Sequence, residues 1–299
     1  PGEHPLYLEQ IASRLGERAV AHASAVAHLA LLLGIRLQSY LLDQRKRLGA
    51  CHAVEVVNLG IAGMLHDIGK SKLAPEIGRF CSTCEPDDPA LRELWETHPR
   101  VGFDAVRRGI EASASYAILH HHQRWDGKGF PVVTRRGQPL QLAGNTIHVF
   151  ARILHVANLF DRLAHGSDSP EQQPCRPAYA VLHQLRTAFA DSIDPVVFRA
   201  LQHTVPPFPP GTRVTLSDGT HAVVTGVTKD PYRPLACRCR ADRWTLQDKV
   251  INLADADAPE IESVGGTRVS EFIPPVPVPS VAEVPADLTA PTTNLVSMR

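Results

Sequence analysis

Residues 54–70 read VEVVNLGIAGMLHDIGK, and their apolar positions recur at the spacing of a buried helix. The apolar positions are Val56, Leu59, Ile61, Met64 and Leu65. This spacing predicts a helix over residues 52–67, with Gly69 ending it in a left-handed cap. His66 and Asp67 are then expected on its last turn, next to each other and at the edge of a core.

Helical patterns continue on both sides of this stretch. Buried or amphipathic helices are predicted over residues 17–34, 90–96, 99–110, 112–122, 146–164, 177–190 and 195–203. The first two hundred residues are therefore expected to be all-helical, and the fold class to be mostly α.

The helical pattern of the sequence ends at VPPFPPGT, residues 205–212, because four prolines do not continue a helix. Alternating apolar runs follow, and Asp218 with Gly219 predicts a tight hairpin. We expect a helical domain over residues 1–205 and a small SH3-like β-barrel of about five strands over residues 206–262. The proline-rich residues 263–299 are expected to be disordered.

Composition excludes several classes of function. Lys and Arg number 31 and Asp and Glu number 31, so a zero net charge offers no overall field for a nucleic acid polymer or an anionic membrane. The most apolar run is interrupted by His22, Ser24 and His28, and we predict no membrane span.

Six cysteines without regular spacing indicate a reducing, cytoplasmic location rather than a disulfide framework. Cys81 and Cys84 form a CxxC pair, but a structural zinc site usually needs a second pair, so a loop is the simpler interpretation. The chain begins at Pro1 without a signal-peptide pattern, which leads us to expect a missing upstream sensory or regulatory segment.

Histidine is the unusual component of this chain, with 15 residues. A single histidine on an apolar helix is more often a core residue than a ligand, but several buried imidazoles each need a partner. Divalent cations would satisfy many of them at once. A carboxylate directly after a histidine, as in His66 and Asp67, can bridge two cations, which suits a two-metal hydrolytic centre.

Three segments together resemble the HD-GYP branch of the HD-domain phosphohydrolases. They are MLHDIGK at residues 64–70, ETHPRVG at residues 96–102, and HHQRWDGKGFP at residues 121–131, which is similar to the signature HHExxDGxGYP. The similarity covers residues 17 to about 203, with the segments in the family's order.

The resemblance implies a helical bundle that holds two divalent cations, Fe or Mn, and hydrolyses cyclic di-GMP to linear pGpG or GMP in bacterial second-messenger signalling. The implied ligands of the first cation are His22, His66, Asp67 and Asn158, and those of the second are Asp67, His98, His121 and His122. A hydroxide bridging the two cations would attack phosphorus.

The same resemblance implies that Asp67 and Lys70 are the catalytic residues, with Lys70 gripping a substrate phosphate as a point charge. A solvated lysine is the alternative for this position. Gly129 and Phe130 lie in the turn that is expected to shape the substrate's entrance. As a hypothesis, Arg18 also contacts phosphate.

Four positions depart from the family pattern. Arg18 replaces the glutamate of members with a third metal, so two cations are expected. Asn158 replaces an aspartate, Gln123 the glutamate of the signature, and Phe130 its tyrosine. Fewer carboxylates should lower metal affinity, unless Asp161, one helical turn beyond Asn158, leans in to restore a charge.

These losses leave alternative functions open. The chain is either a working phosphodiesterase or a degenerate HD-GYP module that binds cyclic di-GMP or a signalling protein partner without turnover. A different HD phosphohydrolase, acting on another nucleotide or phosphate ester, is the third hypothesis.

Overall fold

The computed structural model describes residues 17–78, 86–165, 175–239 and 246–275. The chain divides into two compact units. Among the described residues, the first contains those up to Pro177 together with Gln184–Ala200, and the second contains Ala178–His183 and those from Leu201 onward. The predicted Cys81 and Cys84 loop and residues 276–299 of the expected disordered tail lie outside the described residues. The expectation of disorder is wrong for residues 263–275 of that tail, which contain a strand at Thr267–Arg268 and a 3-10 helix at Ser270–Phe272.

Helices predominate up to Thr204, and the last two of them contribute residues to both units. The helices are α1 Glu17–Arg36, α2 Gln38–Gln44, α3 Ala50–Ala53, α4 Val57–Leu65, α5 Pro75–Gly78, α6 Pro89–Trp95, α7 His98–Val106, α8 Ala112–His120, α9 Val149–His165, α10 Ala178–Ala188 and α11 Pro195–Thr204. Short 3-10 helices occupy Ile68–Lys72, Gly144–Thr146 and Ala190–Ser192. The longer predicted helices are confirmed to within a few residues.

Helix α1 is long and apolar enough to cross a membrane by length and composition alone, but half of its apolar window is buried inside the protein. It packs along α4 and α9. A side chain at Gly63 of α4 would lie 2.5 Å from the Cα atom of Ala27 in α1, so glycine permits a close crossing of the two helices. This crossing brings the ends of α1 and α4 that carry His22 and His66 together.

Two local predictions in this unit were wrong. The expected helix over residues 52–67 is two helices, α3 and α4, and it ends at Leu65 with His66 as its C-cap. Gly69 lies inside the 3-10 helix Ile68–Lys72 and is not among the residues with positive φ. A side chain there would collide with backbone atoms of His98 and Gly102, so close approach of α7, rather than a cap, requires the glycine.

The helical unit also contains a hairpin that the sequence patterns did not predict. Strands β1, Val133–Arg135, and β2, Gln138–Leu140, pair antiparallel. Arg136 and Gly137 join them with positive φ at both positions, which matches the twist of a two-residue hairpin turn.

The second unit contains an antiparallel sheet. Its strands are β3 Arg213–Leu216, β4 His221–Gly226, β5 Leu235–Cys239, β6 Leu246–Asn252, β7 Ile261–Val264 and β8 Thr267–Arg268. The predicted hairpin is confirmed, since β3 pairs with β4 across a turn in which Gly219 has φ of 79°. The core of this unit packs around Phe208, Val214, Leu216 and Val224.

The predicted closure of this sheet into a barrel is not seen among the described strands. Their order is β6-β5-β4-β3-β7-β8, so β6 and β8 are edges, and the pairing continues to Arg268, beyond the expected end of the barrel. Register shifts in β3, β4 and β5 bend the sheet without joining its edges.

Candidate metal centre

Asp67 lies at the centre of a group of histidines, between α4 and the following 3-10 helix, with 7% of its surface exposed. Its Oδ2 atom is 3.4 Å from Nε2 of His66 and 3.9 Å from Nε2 of His22. Its Oδ1 atom is 3.3 Å from Nε2 of His98 and 3.7 Å from Nε2 of His121. Each carboxylate oxygen therefore faces a different pair of imidazoles.

The histidines around Asp67 form two groups that share this aspartate. The His22 group consists of His22 in α1, His66 after α4, and Asp67; the His98 group consists of His98 at the start of α7, His121 and His122 after α8, and Asp67. Within each group the potential ligand atoms lie within 4.8 Å of one another, and every member is buried.

The second nitrogen of three of these imidazoles is held by a backbone carbonyl. Nδ1 of His66, His98 and His121 donates to the carbonyl three residues earlier, at Gly63, Trp95 and Ile118, over 2.8, 2.7 and 2.6 Å respectively. Each of these carbonyls lies in the last turn of a helix, where it lacks a helical partner. The hydrogen bonds keep the proton on Nδ1 and leave Nε2 with a lone pair.

These lone pairs converge in two places. Nε2 of His22 is 3.2 Å from Nε2 of His66, and Nε2 of His98 is 3.3 Å from Nε2 of His121. A proton on one Nε2 atom would turn such a contact into a hydrogen bond, but the imidazoles are not protonated near neutral pH. Burial lowers the pKa of His98 to about 4 and that of His121 to about 3. Burial also lowers the pKa of His22.

Three buried side-chain atoms of the predicted ligands lack hydrogen-bond partners among the described residues. They are Asp67 Oδ1, His122 Nε2 and Asn158 Oδ1. Neutral imidazole nitrogens, a carboxylate oxygen and an amide oxygen are all atoms that bind divalent cations. The residues of both groups therefore fit a pair of divalent cations that share Asp67.

Helix α9 brings Asp161 to the His22 group, and it carries Asn158 three residues earlier. Asp161 Oδ2 lies 2.6 Å from Nδ1 of His22, and the two positions on α9 share a face because they are three residues apart. The carboxylate of Asp161 contacts Nδ1 of His22, on the side of the ring opposite Nε2, and a direct ligand role for Asp161 stays a prediction. Asn158 is buried, and its role as a ligand stays a prediction.

Lys70 is buried beside Asp67 and is not the solvated lysine of the alternative interpretation. Only 3% of its surface is exposed, and its Nζ atom lies 2.7 Å from Asp67 Oδ2. Burial by itself raises the pKa of Asp67, but the positive charge of Lys70 is the largest of the effects that lower it, and together they hold it well below the usual range. Asp67 is therefore an anion with a built-in counterion, and the phosphate contact of Lys70 stays a prediction.

Trp95 is a contributor that the sequence patterns did not identify. Its ring is almost fully buried and lies 4.8 Å from the ring of His98 and 5.4 Å from that of His122, between centroids. The Lys70 ammonium lies 5.2 Å from the centroid of the Trp95 ring. The backbone carbonyl of Trp95 also orients His98, three positions later.

The glycine-rich turn packs directly on the histidines. A side chain at Gly129 would lie 2.5 Å from the backbone nitrogen of Arg124, so only glycine lets the turn fold back. The ring of Phe130 then stacks on His122, with 4.4 Å between centroids and 16° between planes. This packing supports a shaping role, and substrate contacts by Gly129 and Phe130 stay predictions.

Two other positions depart from the family pattern, Gln123 and Arg18. The amide of Gln123 donates to the carbonyl of Pro131 at 2.7 Å, which ties the turn together. An ionised glutamate has no proton for this bond. Arg18 is exposed on the first turn of α1, one turn before the buried His22, and its contact with phosphate stays a prediction.

Comparisons with known proteins give one matching family and several similar relatives. Residues 36–197 match the family described as HD domain. The chain is 28% identical over 222 residues to a cyclic di-GMP phosphodiesterase of Pseudomonas aeruginosa, covering 74% of this chain and 48% of the relative. It is 30% identical over 141 residues to the cyclic di-GMP phosphodiesterase response regulator RpfG of Xanthomonas campestris pv. campestris, covering 46% of this chain and 34% of the relative.

A cyclic di-GMP phosphodiesterase of Thermotoga maritima is 29% identical over 136 residues, which are 44% of this chain and 34% of the relative. The chain thus spans about half of the length, or less, of these curated relatives.

Proposed function

Because the chain belongs to the HD domain family, we propose that its helical unit is a metal-dependent phosphodiesterase that hydrolyses cyclic di-GMP. One observation carries the proposal: a single buried aspartate presents each of its two oxygens to a different set of imidazole lone pairs. The relatives named as cyclic di-GMP phosphodiesterases support the choice of substrate.

The proposed ligands follow from the two groups around Asp67. The His22 group, with Asn158, would hold one cation and the His98 group the other. When bound, such a pair of divalent cations, Fe or Mn, supplies an activated water and stabilises negative charge on the phosphoryl oxygens. The backbone carbonyls bound to Nδ1 keep the imidazoles oriented toward this position.

Lys70 would bind the substrate phosphate when Asp67 binds the cations and no longer accepts its hydrogen bond. In the structure its ammonium is already within reach of the site, 2.7 Å from Asp67 Oδ2. The chain has no net charge to attract an anion from a distance, so local cationic groups must provide this affinity. The products would be linear pGpG, GMP, or both in sequence.

A binding module without turnover is the second candidate, and Asn158 is the observation that favours it. An amide oxygen binds a cation without contributing negative charge, so the pair of cations would be held less firmly. Such a module would bind cyclic di-GMP and pass the signal to a protein partner. We further propose a cytoplasmic location, on the basis of the cysteine usage.

The test is incubation of the full chain, loaded with Mn²⁺ or Fe²⁺, with cyclic di-GMP, followed by chromatographic identification of the products. We expect pGpG or GMP from the wild-type chain and none from Asp67→Asn. Asp43→Asn is the matched control, because Asp43 is an exposed aspartate whose loss should leave the rate unchanged. Tight binding of cyclic di-GMP without any product would support the binding module instead.

A further inference from the structure

We propose that the two metal positions have unequal affinities, so that a first cation fills the His98 group and a second enters the His22 group only at higher metal concentration. This inference rests on the proposed metal-dependent function but concerns binding alone. It follows from what each group offers a cation, and from which atoms around Asp67 are already engaged.

The His98 group offers a nearly complete ligand set. Three buried imidazoles meet Asp67 Oδ1, which has no hydrogen-bond partner among the described residues. His122 Nε2 is likewise without a partner. A cation entering here displaces no hydrogen bond of the carboxylate.

The His22 group offers fewer and weaker ligand atoms. It has two imidazoles, and the Asp67 oxygen on its side, Oδ2, already accepts a hydrogen bond from Lys70 at 2.7 Å. The fourth candidate atom, Asn158 Oδ1, is neutral. A cation here must compete with an ammonium for its only anionic ligand.

Long-range charge does not reverse this order. Lys70 also acts on His98 and His122, and Arg162 acts on His122, so positive charge weakens the His98 group as well. The hydrogen bond from Lys70, in contrast, affects only the His22 group, because it is made to Asp67 Oδ2. A direct contact outweighs these more distant charges, because Coulomb energy falls with separation.

Asp161 compensates the His22 group only in part. Its carboxylate binds Nδ1 of His22 at 2.6 Å, which makes the imidazole a better donor to a cation. The imidazole of His22 lies between the Asp161 carboxylate and the cation. This negative charge is therefore farther from the cation than that of a carboxylate ligand at position 158 would be. We expect the second cation to bind at least ~10-fold more weakly than the first, the lower end of what loss of one supporting group costs a metal site.

The consequence is a chain that holds one cation when metal is scarce and two when it is plentiful. A two-cation hydrolytic step would then depend on free metal concentration in the range of the weaker position. The residue that sets this range is Asn158.

The experiment is isothermal titration calorimetry of the metal-free full chain with Mn²⁺ near neutral pH, with electron paramagnetic resonance to distinguish isolated from paired ions. We expect two steps in the wild-type chain, with the isolated-ion signal first. Asn158→Asp should tighten the weaker step at least ~10-fold and leave the tighter step unchanged, since a carboxylate restores a charged ligand. His98→Ala should remove the tighter step.

The matched control is Asn145→Asp, which makes the same chemical change at an exposed residue and should alter neither step. A single transition in which two Mn²⁺ ions bind the wild-type chain with equal affinity would overturn the proposal. This result does not depend on whether any variant folds. An Asn158→Asp chain whose weaker step is unchanged while its circular dichroism is that of the wild type would also overturn the proposal. Hydrolysis is assayed separately: product formation with two equal sites refutes this inference alone, and unequal sites without product refute only the proposed catalysis.

Discussion

Substitution of Gly69 by alanine tests how backbone packing positions the metal centre. Gly69 lies two residues after Asp67, and an added Cβ atom would overlap the carbonyl oxygen of His98 and lie 2.7 Å from the backbone nitrogen of Gly102. Ordinary van der Waals contact begins at 3.4 Å, so even the Gly102 backbone must retreat by about 0.7 Å and that of His98 by more. Both atoms belong to α7, which therefore moves as a unit.

The displacement acts on stability and on metal binding together. Overpacking of this kind costs about 1–3 kcal/mol, and the rigid backbone on both sides favours the upper end. His98 Nε2 would also leave its position 3.3 Å from Asp67 Oδ1, and a misplacement of about 1 Å in a catalytic group costs on the order of 100-fold in rate. We expect Gly69→Ala to lose ~3 kcal/mol of unfolding free energy and to weaken the tighter Mn²⁺ step.

Urea unfolding and Mn²⁺ calorimetry measure the two effects. The control is Gly60→Ala, another buried helical glycine, where the nearest atoms are side-chain carbons of Leu31 at 3.0 and 3.1 Å that can rotate aside. Its cost should stay under ~1 kcal/mol because the gain in helix propensity offsets the contact. A Gly69→Ala chain with the wild-type urea midpoint and wild-type Mn²⁺ affinity would refute the reasoning.

Three further predictions concern Lys70, His148 and the dependence of the hydrolysis rate on Mn²⁺. Lys70→Met leaves the Asp67 carboxylate buried without its counterion, so the metal-free chain should lose about 3–5 kcal/mol of stability, while the weaker Mn²⁺ step tightens because its competitor is gone; calorimetry and thermal unfolding with and without Mn²⁺ check both. Burial, with the charges of Arg45 and Arg152, lowers the pKa of His148 from 6.5 to about 4. The unfolded chain therefore takes up a proton at higher pH than the folded chain, and stability is lost as the pH falls from 6.5 through 4. His148→Asn, which still offers an acceptor at the start of α9, should remove about 2 kcal/mol of that loss at pH 5, measured by urea unfolding of the metal-free chains at pH 7 and pH 5. Finally, the rate of cyclic di-GMP hydrolysis should rise over the Mn²⁺ range of the weaker binding step, and a rate that saturates with one bound ion would contradict the two-cation proposal.

Sequence by itself determined most of the helices and the candidate ligands. Helical periodicity is a local property, so α1, α7, α8 and α9 were predicted to within a few residues, whereas α4 is only part of the longer helix predicted over residues 52–67. The motifs that carry His66 and Asp67, His98, and His121 and His122 are also local, and they named the residues that the fold later brings into two groups.

Only the tertiary structure decided how these residues act on one another. The contact of His66 with His22 spans 44 residues and that of Asp161 with His22 spans 139, and no local pattern reports such pairs. The burial of Lys70 against Asp67, the commitment of Asp161 to the far side of His22, and the reason for glycine at position 69 all depend on which backbone lies opposite. Short-range spacing specifies which side chains are available, whereas packing between distant segments decides which of their atoms remain free for a cation.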